Sequence, residues 1–179
     1  VLTGVSASRT EKNAGTYAVT ASGTDTNYNL TFVDGTMTIN PAALTVTASN
    51  ASKTYDGLAF SGGNGVSYSG FVGSESASAL SGSLSYGGTS QGATNAGTGY
   101  TIVPSGLSSS NYAITYTNGT LDIAKANATV TANSSTSTYN GANQTVSGFT
   151  ASGLVGSETT TVLTGVSASR TEKNAGTYA

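Results

Sequence analysis

Apolar and polar residues alternate with a period of two in short runs along this chain, and no stretch repeats apolar residues at helical spacing. In Tyr112–Ile123, Tyr112, Ile114 and Tyr116 share one face, with Ala113 and Thr115 on the other. Asn118-Gly119 reads as a tight turn, because both residue types tolerate positive φ, and Leu121 and Ile123 then return on the core face. Tyr28, Leu30 and Phe32, a turn at Asp34-Gly35, then Met37 and Ile39 repeat the pattern. Two β-hairpins are expected. Further strands are expected at Leu44–Ala48, Val66–Tyr68, Leu84–Tyr86, Tyr100–Val103 and Ala128–Ala132, divided by Gly, Asn and Ser.

The same order of strands recurs because the chain repeats itself. Residues 1–18, VLTGVSASRTEKNAGTYA, return unchanged as residues 162–179, a period of 161. Inside that period lies an older copy. Asn27–Gly57 aligns without a gap to Asn111–Gly141, shifted by 84 residues, with fourteen of thirty-one positions identical. GFVGSE (Gly70–Glu75) returns as GLVGSE (Gly153–Glu158), and NAGT occurs at Asn13, Asn95 and Asn174. A module of about eighty residues was doubled, and the pair was copied again. The boundary falls at Asn40-Pro41 and Ala124-Lys125, since Pro cannot donate to a ladder and suits a strand start. Residues 1–41 then form the C-terminal part of one module, 42–125 a complete module and 126–179 the N-terminal part of the next. With no Gly/Ser linker between them, consecutive modules are expected to sit nearly rigidly end to end.

Composition narrows the function. Charged residues are 8% of the chain and the net charge is −2, so no basic stripe for nucleic acid exists. No apolar run is long enough to span a membrane. Twenty-four glycines without a three-residue period exclude collagen. His, Cys and Trp are absent, which removes Ser-His, Cys-His and imidazole or thiolate metal chemistry. No cofactor and no enzymatic activity are expected. Glu75 and Glu158 lie a module apart, with no second recurring acid beside either. Calcium is disfavoured, because Asp25, Asp34, Asp56 and Asp122 are isolated and no DxDxDG stretch occurs.

Several motifs remain. Tyr55-Asp56-Gly57 and Tyr139-Asn140-Gly141 read better as turns with Tyr packed beneath than as ligand loops, since Asp and Asn serve turn chemistry equally. Asn29, Asn50, Asn118, Asn127, Asn133 and Asn143 open Asn-X-Ser/Thr triplets, several of which chance supplies in so Asn- and Thr-rich a chain. Lys53, Asn111 and Glu75 are the ingredients of a Lys–Asn isopeptide bond, but Ser137 stands at the Lys53 position of the second copy.

In that order, Lys53-Thr54-Tyr55-Asp56-Gly57, GFVGSE, Asn95-Ala96-Gly97-Thr98, and Asn111-Tyr112 with Gly119-Thr120-Leu121 and Ile123 resemble the MBG/YDG repeats of very large secreted bacterial adhesins, including filamentous-haemagglutinin-like proteins. The likeness spans residues 42–125 in full and both end segments in part. Asn140 replaces the Asp of the motif in the second copy. The resemblance implies a mostly-β spacer in a surface or matrix protein, without catalysis. Taken with the strand pattern, it leads to all-β, small antiparallel Ig-like sandwich modules in a linear rod, with a β-grasp-like sheet as the alternative. Strands of about ten residues span roughly 34 Å, so each period adds on the order of 70–80 Å. The expected partners are neighbouring modules, other copies in a fibre or bundle, and glycans bound weakly by repeated tyrosines. An intact mass equal to that of the unmodified sequence is expected, whereas a deficit of one ammonia per module would establish an isopeptide bond.

Overall fold

Fifteen short strands and two single 3₁₀ turns, at Ala77–Ala79 and Thr160–Val162, make up the computed structural model, which describes residues 5–178. The N-terminal part holds β1 (Ser6–Ala7), β2 (Gly15–Val19), β3 (Ala21–Ser22) and β4 (Gly35–Ile39). The middle holds β5 (Ala42–Ala48), β6 (Ala51–Thr54), β7 (Val66–Ser69), β8 (Ser81–Gly87), β9 (Gly97–Ser108), β10 (Tyr112–Thr117) and β11 (Gly119–Ala124). The C-terminal part holds β12 (Thr129–Ala132), β13 (Gln144–Ser147), β14 (Phe149–Ser152) and β15 (Ser169–Glu172). The protein is all-β, with mostly antiparallel sheets in a small sandwich.

The central strands form two sheets, in the orders β10-β5-β7 and β6-β11-β9-β8. Each sheet contains one parallel pair. Tyr112–Thr117 runs beside Ala42–Thr47, and Leu121–Ala124 runs beside Ala51–Thr54, every residue partnered with the one seventy positions earlier. The register is thus the same on both sides of the break, and β5–β6 and β10–β11 are two long segments lying side by side. At the break, the Asn50 side chain accepts the Thr120 N–H at 2.9 Å and bridges the two sheets. Alternation along β5 buries Leu44, Val46 and Ala48, and along β11 it buries Leu121 and Ile123. Ile102 from β9 completes the core, with Tyr55, Phe60, Tyr86 and Tyr100 around it. Pro104, which has no N–H to donate, is fully buried in β9 and lies past Ile102, the last residue of that strand to pair with β11.

Neither expected hairpin forms. β10 and β11 do not pair with each other, and neither Asn118 nor Gly119 has the positive φ that a two-residue hairpin turn needs. The alternating pattern was read correctly for burial but not for partner. Gly119 is required for another reason: a Cβ there would lie 2.8 Å from the carbonyl oxygens of both Ala48 and Ser49. Asp34-Gly35 is not a hairpin turn either. Residues 27–34 lie outside any strand, Tyr28 is 68% exposed, and β4 pairs with β2 instead. Tyr28–Val33 corresponds to β10, whose parallel partner β5 has no counterpart among residues 5–27.

The end segments form two-stranded pairs: β1 with β3, β2 with β4, β12 with β14 and β13 with β15. The identical eighteen-residue copies accordingly differ in sheet partner. In the first, Gly15–Val19 pairs with Gly35–Ile39 while Ser8–Glu11 is unpaired; in the second, Ser169–Glu172 pairs with Gln144–Ser147 while Gly176–Tyr178 is unpaired. The first copy also pairs Ser6–Ala7 with Ala21–Ser22, so its partners all follow it in the chain, whereas the partner of the second copy precedes it. Residues 1–4 and 179 of the repeat lie outside the described residues.

Their local contacts nevertheless agree. Arg9 pairs with Glu11 and lies 5.2 Å from the centre of the Tyr17 ring; Arg170 pairs with Glu172 and lies 5.1 Å from the Tyr178 ring. Tyr17 and Tyr178 donate to the carbonyls of Asn13 and Asn174 at 2.9 and 3.0 Å. The same sequence therefore builds the same local cluster, and neighbouring strands decide the sheet.

Gly119→Ala is expected to cost about 1–3 kcal/mol through backbone overpacking. Asn118→Ala, at an exposed position that is no turn, should stay within about 0.5 kcal/mol. Urea denaturation of the two variants checks both.

Candidate functional site: tyrosine–carboxylate contacts between strand segments

The Tyr-Asp/Asn-Gly motifs are Asx turns. The Asp56 carboxylate accepts the Leu58 N–H at 2.9 Å, and the Asn140 carbonyl accepts the Ala142 N–H at 3.0 Å. Gly57 and Gly141 close these turns at φ +73° and +76°, a region that favours glycine. Asp and Asn supply the same acceptor, so the exchange preserves the turn. Asp56 adds an ion pair with Lys53 at 2.6 Å, which Ser137 does not offer in the second copy. The Lys53 ammonium, followed by the Leu58 N–H, holds the Asp56 carboxyl below its ordinary value.

The tyrosine of the motif reaches outside the central strands. Tyr55 is half-buried and donates to Glu158 Oε1 at 2.5 Å, across 103 residues of sequence. This bond, then burial and the glutamate's charge, raise the phenol above its ordinary value. The pair lines a groove of about 330 Å³ together with Asn95, Ala96, Leu154, Val155 and Leu163. Val155 Cγ1 lies 3.5 Å from where a Cβ on Gly57 would sit.

Glu75 occupies the matching position in the central segment. It accepts from Tyr112 at 2.5 Å, and the Tyr112 oxygen in turn accepts the Val72 N–H at 2.9 Å. Tyr112 is buried, with the Phe71 ring edge-on at 5.4 Å. Its phenol is likewise raised, chiefly by the bond to Glu75.

A second contact joins the N-terminal segment to the centre. The Ala14 N–H donates to Asn111 Oδ1 at 2.9 Å, and Asn111 Nδ2 donates to Asn13 Oδ1 at 3.2 Å. NAGT thus presents its backbone to the residue just before Tyr112. Its glycine is covered by a tyrosine ring: a Cβ on Gly15, Gly97 or Gly176 would lie 3.0, 2.8 or 2.9 Å from the hydroxyl of Tyr17, Tyr100 or Tyr178.

Other sequence candidates are not brought together. Lys53 and Asn111 sit at opposite ends of the parallel ladder, and Glu75 is bonded to Tyr112. Asp25 accepts the N–H groups of Asn27 and Tyr28, and Asp122 accepts that of Gly99. Among the described residues, no three acidic side chains gather as a metal ligand set. The Asn133 amide donates to Ser147 O, while Asn118 is exposed. Tyr139, the counterpart of Tyr55, is 62% exposed. Sequence reasoning did not pair Tyr55 with Glu158 or assign Asn111 to NAGT. The signal was the recurrence of both motifs at one module's spacing.

A family model for the MBG domain of YGX type matches residues 1–38 and 44–122. No curated protein and no solved structure matches the chain.

The lowered Asp56 pKa stabilises the fold at neutral pH. That contribution is fully present above the unfolded value of 3.8 and is lost as pH falls through the lower folded value. Asp56→Asn keeps the Asx turn and should flatten the fall in stability between about pH 5 and pH 2. Thermal melts of both proteins across that range, with NMR titration of the Asp56 carboxyl, check the sign.

Proposed function

The chain belongs to the MBG domain family of YGX type, an adhesin-type repeat domain, and from that premise we propose that it is a non-catalytic stalk or spacer of an extracellular bacterial adhesin or matrix fibre. Residues 42–125 act as one complete unit of the stalk, residues 1–41 as the end of the unit before and residues 126–179 as the start of the unit after.

The supporting observation is that consecutive segments meet through directed hydrogen bonds while the backbone between them is short. Only Asn40 and Pro41 separate β4 from β5, and Ala14 bonds to Asn111 beside them. Tyr55 bonds to Glu158 at the other end of the central strands. Such junctions resist bending, and a 161-residue period multiplies them. Low charge and abundant hydroxyl and amide side chains suit an inert shaft.

Three of the four tyrosines that the glycan-binding reading would use are covered: Tyr112 is buried, Tyr55 and Tyr116 are half-buried, and all three hydroxyls hold protein partners, whereas Tyr139 is 62% exposed. Among the described residues no helix is long and apolar enough to cross a membrane.

Chains carrying one, two and three periods should show maximum dimensions by small-angle scattering that rise linearly, by on the order of 70–80 Å per period. A sublinear rise, or glycan-array binding by the two-period chain, would overturn the spacer role.

A further inference from the structure

We propose that each Gly-x-Val-Gly-Ser-Glu glutamate is a shared acceptor at the junction of consecutive units. One carboxylate oxygen takes the Asn-Tyr tyrosine of its own unit and the other takes the Tyr-Asp/Asn-Gly tyrosine of the unit before. The surface around Tyr139 is then the docking site for the next copy of the repeat in the same chain. This inference rests on the repeat-stalk reading and deepens it.

The two glutamates stand on the same turn. The Glu75 N–H donates to Val72 O at 3.2 Å and the Glu158 N–H to Val155 O at 3.1 Å, with Gly73 and Gly156 at φ +62° and +58°. Each glutamate uses one oxygen for one tyrosine, but the tyrosines differ in kind. Glu75 takes Tyr112 of its own unit, and Glu158 takes Tyr55 of the unit before. An ionised carboxylate offers about four acceptor positions on two oxygens, so neither contact excludes the other. Among the described residues the second oxygen of each glutamate holds no hydrogen bond.

Exposure follows the missing partners. Among the described residues Glu75 takes no Tyr-Asp/Asn-Gly tyrosine and is exposed, whereas Glu158, bonded to Tyr55, is half-buried. Tyr55 is half-buried against Glu158, whereas its counterpart Tyr139 is 62% exposed. Tyr28, the counterpart of buried Tyr112, is 68% exposed, with no such glutamate before it.

A second contact belongs to the same junction. Asn13 and Ala14 dock on Asn111, adjacent to Tyr112 and so on the Glu75 side of the unit. Asn95 and Ala96, their counterparts, line the groove that holds Tyr55 and Glu158. One junction in this chain displays the NAGT–Asn contact and the other displays the Tyr–Glu contact. Superposed by the repeat, they make one interface with four bonded groups: a tyrosine and NAGT from the unit before, a glutamate and an asparagine from the unit after.

The test uses the 179-residue chain and the same chain extended by one further 161-residue period. In the present chain, Tyr55→Phe should speed amide exchange at Val155–Glu158 roughly threefold to tenfold, the worth of one net hydrogen bond. Tyr139→Phe should change nothing there. In the extended chain, Tyr139→Phe should speed exchange by the same factor at the added copy of Val72–Glu75. A silent Tyr139→Phe in the extended chain overturns the junction. So does concentration-dependent association of the short chain that Tyr139→Phe abolishes, since the occupant would then be a second chain. A rod that lengthens linearly with a silent Tyr139→Phe refutes only the junction; coupling at Tyr139 in an array that does not lengthen refutes only the stalk.

Discussion

The parallel ladder between Ala42–Thr54 and Tyr112–Ala124 is the constraint on which the rest of the central structure depends. A parallel pair needs a long crossover, and here β6 to β9 lie within it. The first segment of the unit pairs with β7 along one edge of β5, and its other edge stays open until the last segment has been made. This single pairing places Leu44 and Val46 in one sheet and Leu121 and Ile123 in the other, and carries both across the corner at Asn50. It also explains the end segments. Tyr28–Val33 shares the alternation of β10 but has no β5 counterpart among residues 5–27, and it lies outside any strand.

Closure at that ladder puts Tyr112 and Asn111 at one end of the central strands and Tyr55 at the other. The end bearing Tyr112 also carries Glu75, and the end bearing Tyr55 is flanked by NAGT. The two ends of a unit therefore carry different groups: Glu75 and Asn111 beside Tyr112 at one, Tyr55 and NAGT at the other. In the proposed junction, head-to-tail stacking brings these two ends together. Tyrosine suits this role, since its ring packs on the unit while its hydroxyl reaches across the junction.

Much of the architecture was legible from the pattern of side chains. Alternation located β5, β7, β8 and β9, and placed Leu121 and Ile123 in the core. The Asx turns at Asp56 and Asn140 were readable because an oxygen two residues before an N–H is a local feature. The Asn118-Gly119 reading failed for a physical reason. A glycine that admits positive φ looks the same in sequence as one that leaves room for a neighbouring backbone. At Gly119 the second requirement governs, and its cause, the Ala48 and Ser49 carbonyls, lies seventy residues away.

The eighteen repeated residues separate the two levels of determination. By itself the sequence dictates the Arg–Glu pair, the arginine over the tyrosine ring, and the tyrosine hydroxyl on the asparagine carbonyl, and both copies make all three. These contacts span nine residues or fewer, so any chain with that sequence reaches them. Which strand those residues join, and whether a tyrosine such as Tyr55 or Tyr139 is covered, only the tertiary structure decides. Backbone donors pair with whatever strand edge lies within reach, and that edge comes from a different part of the array.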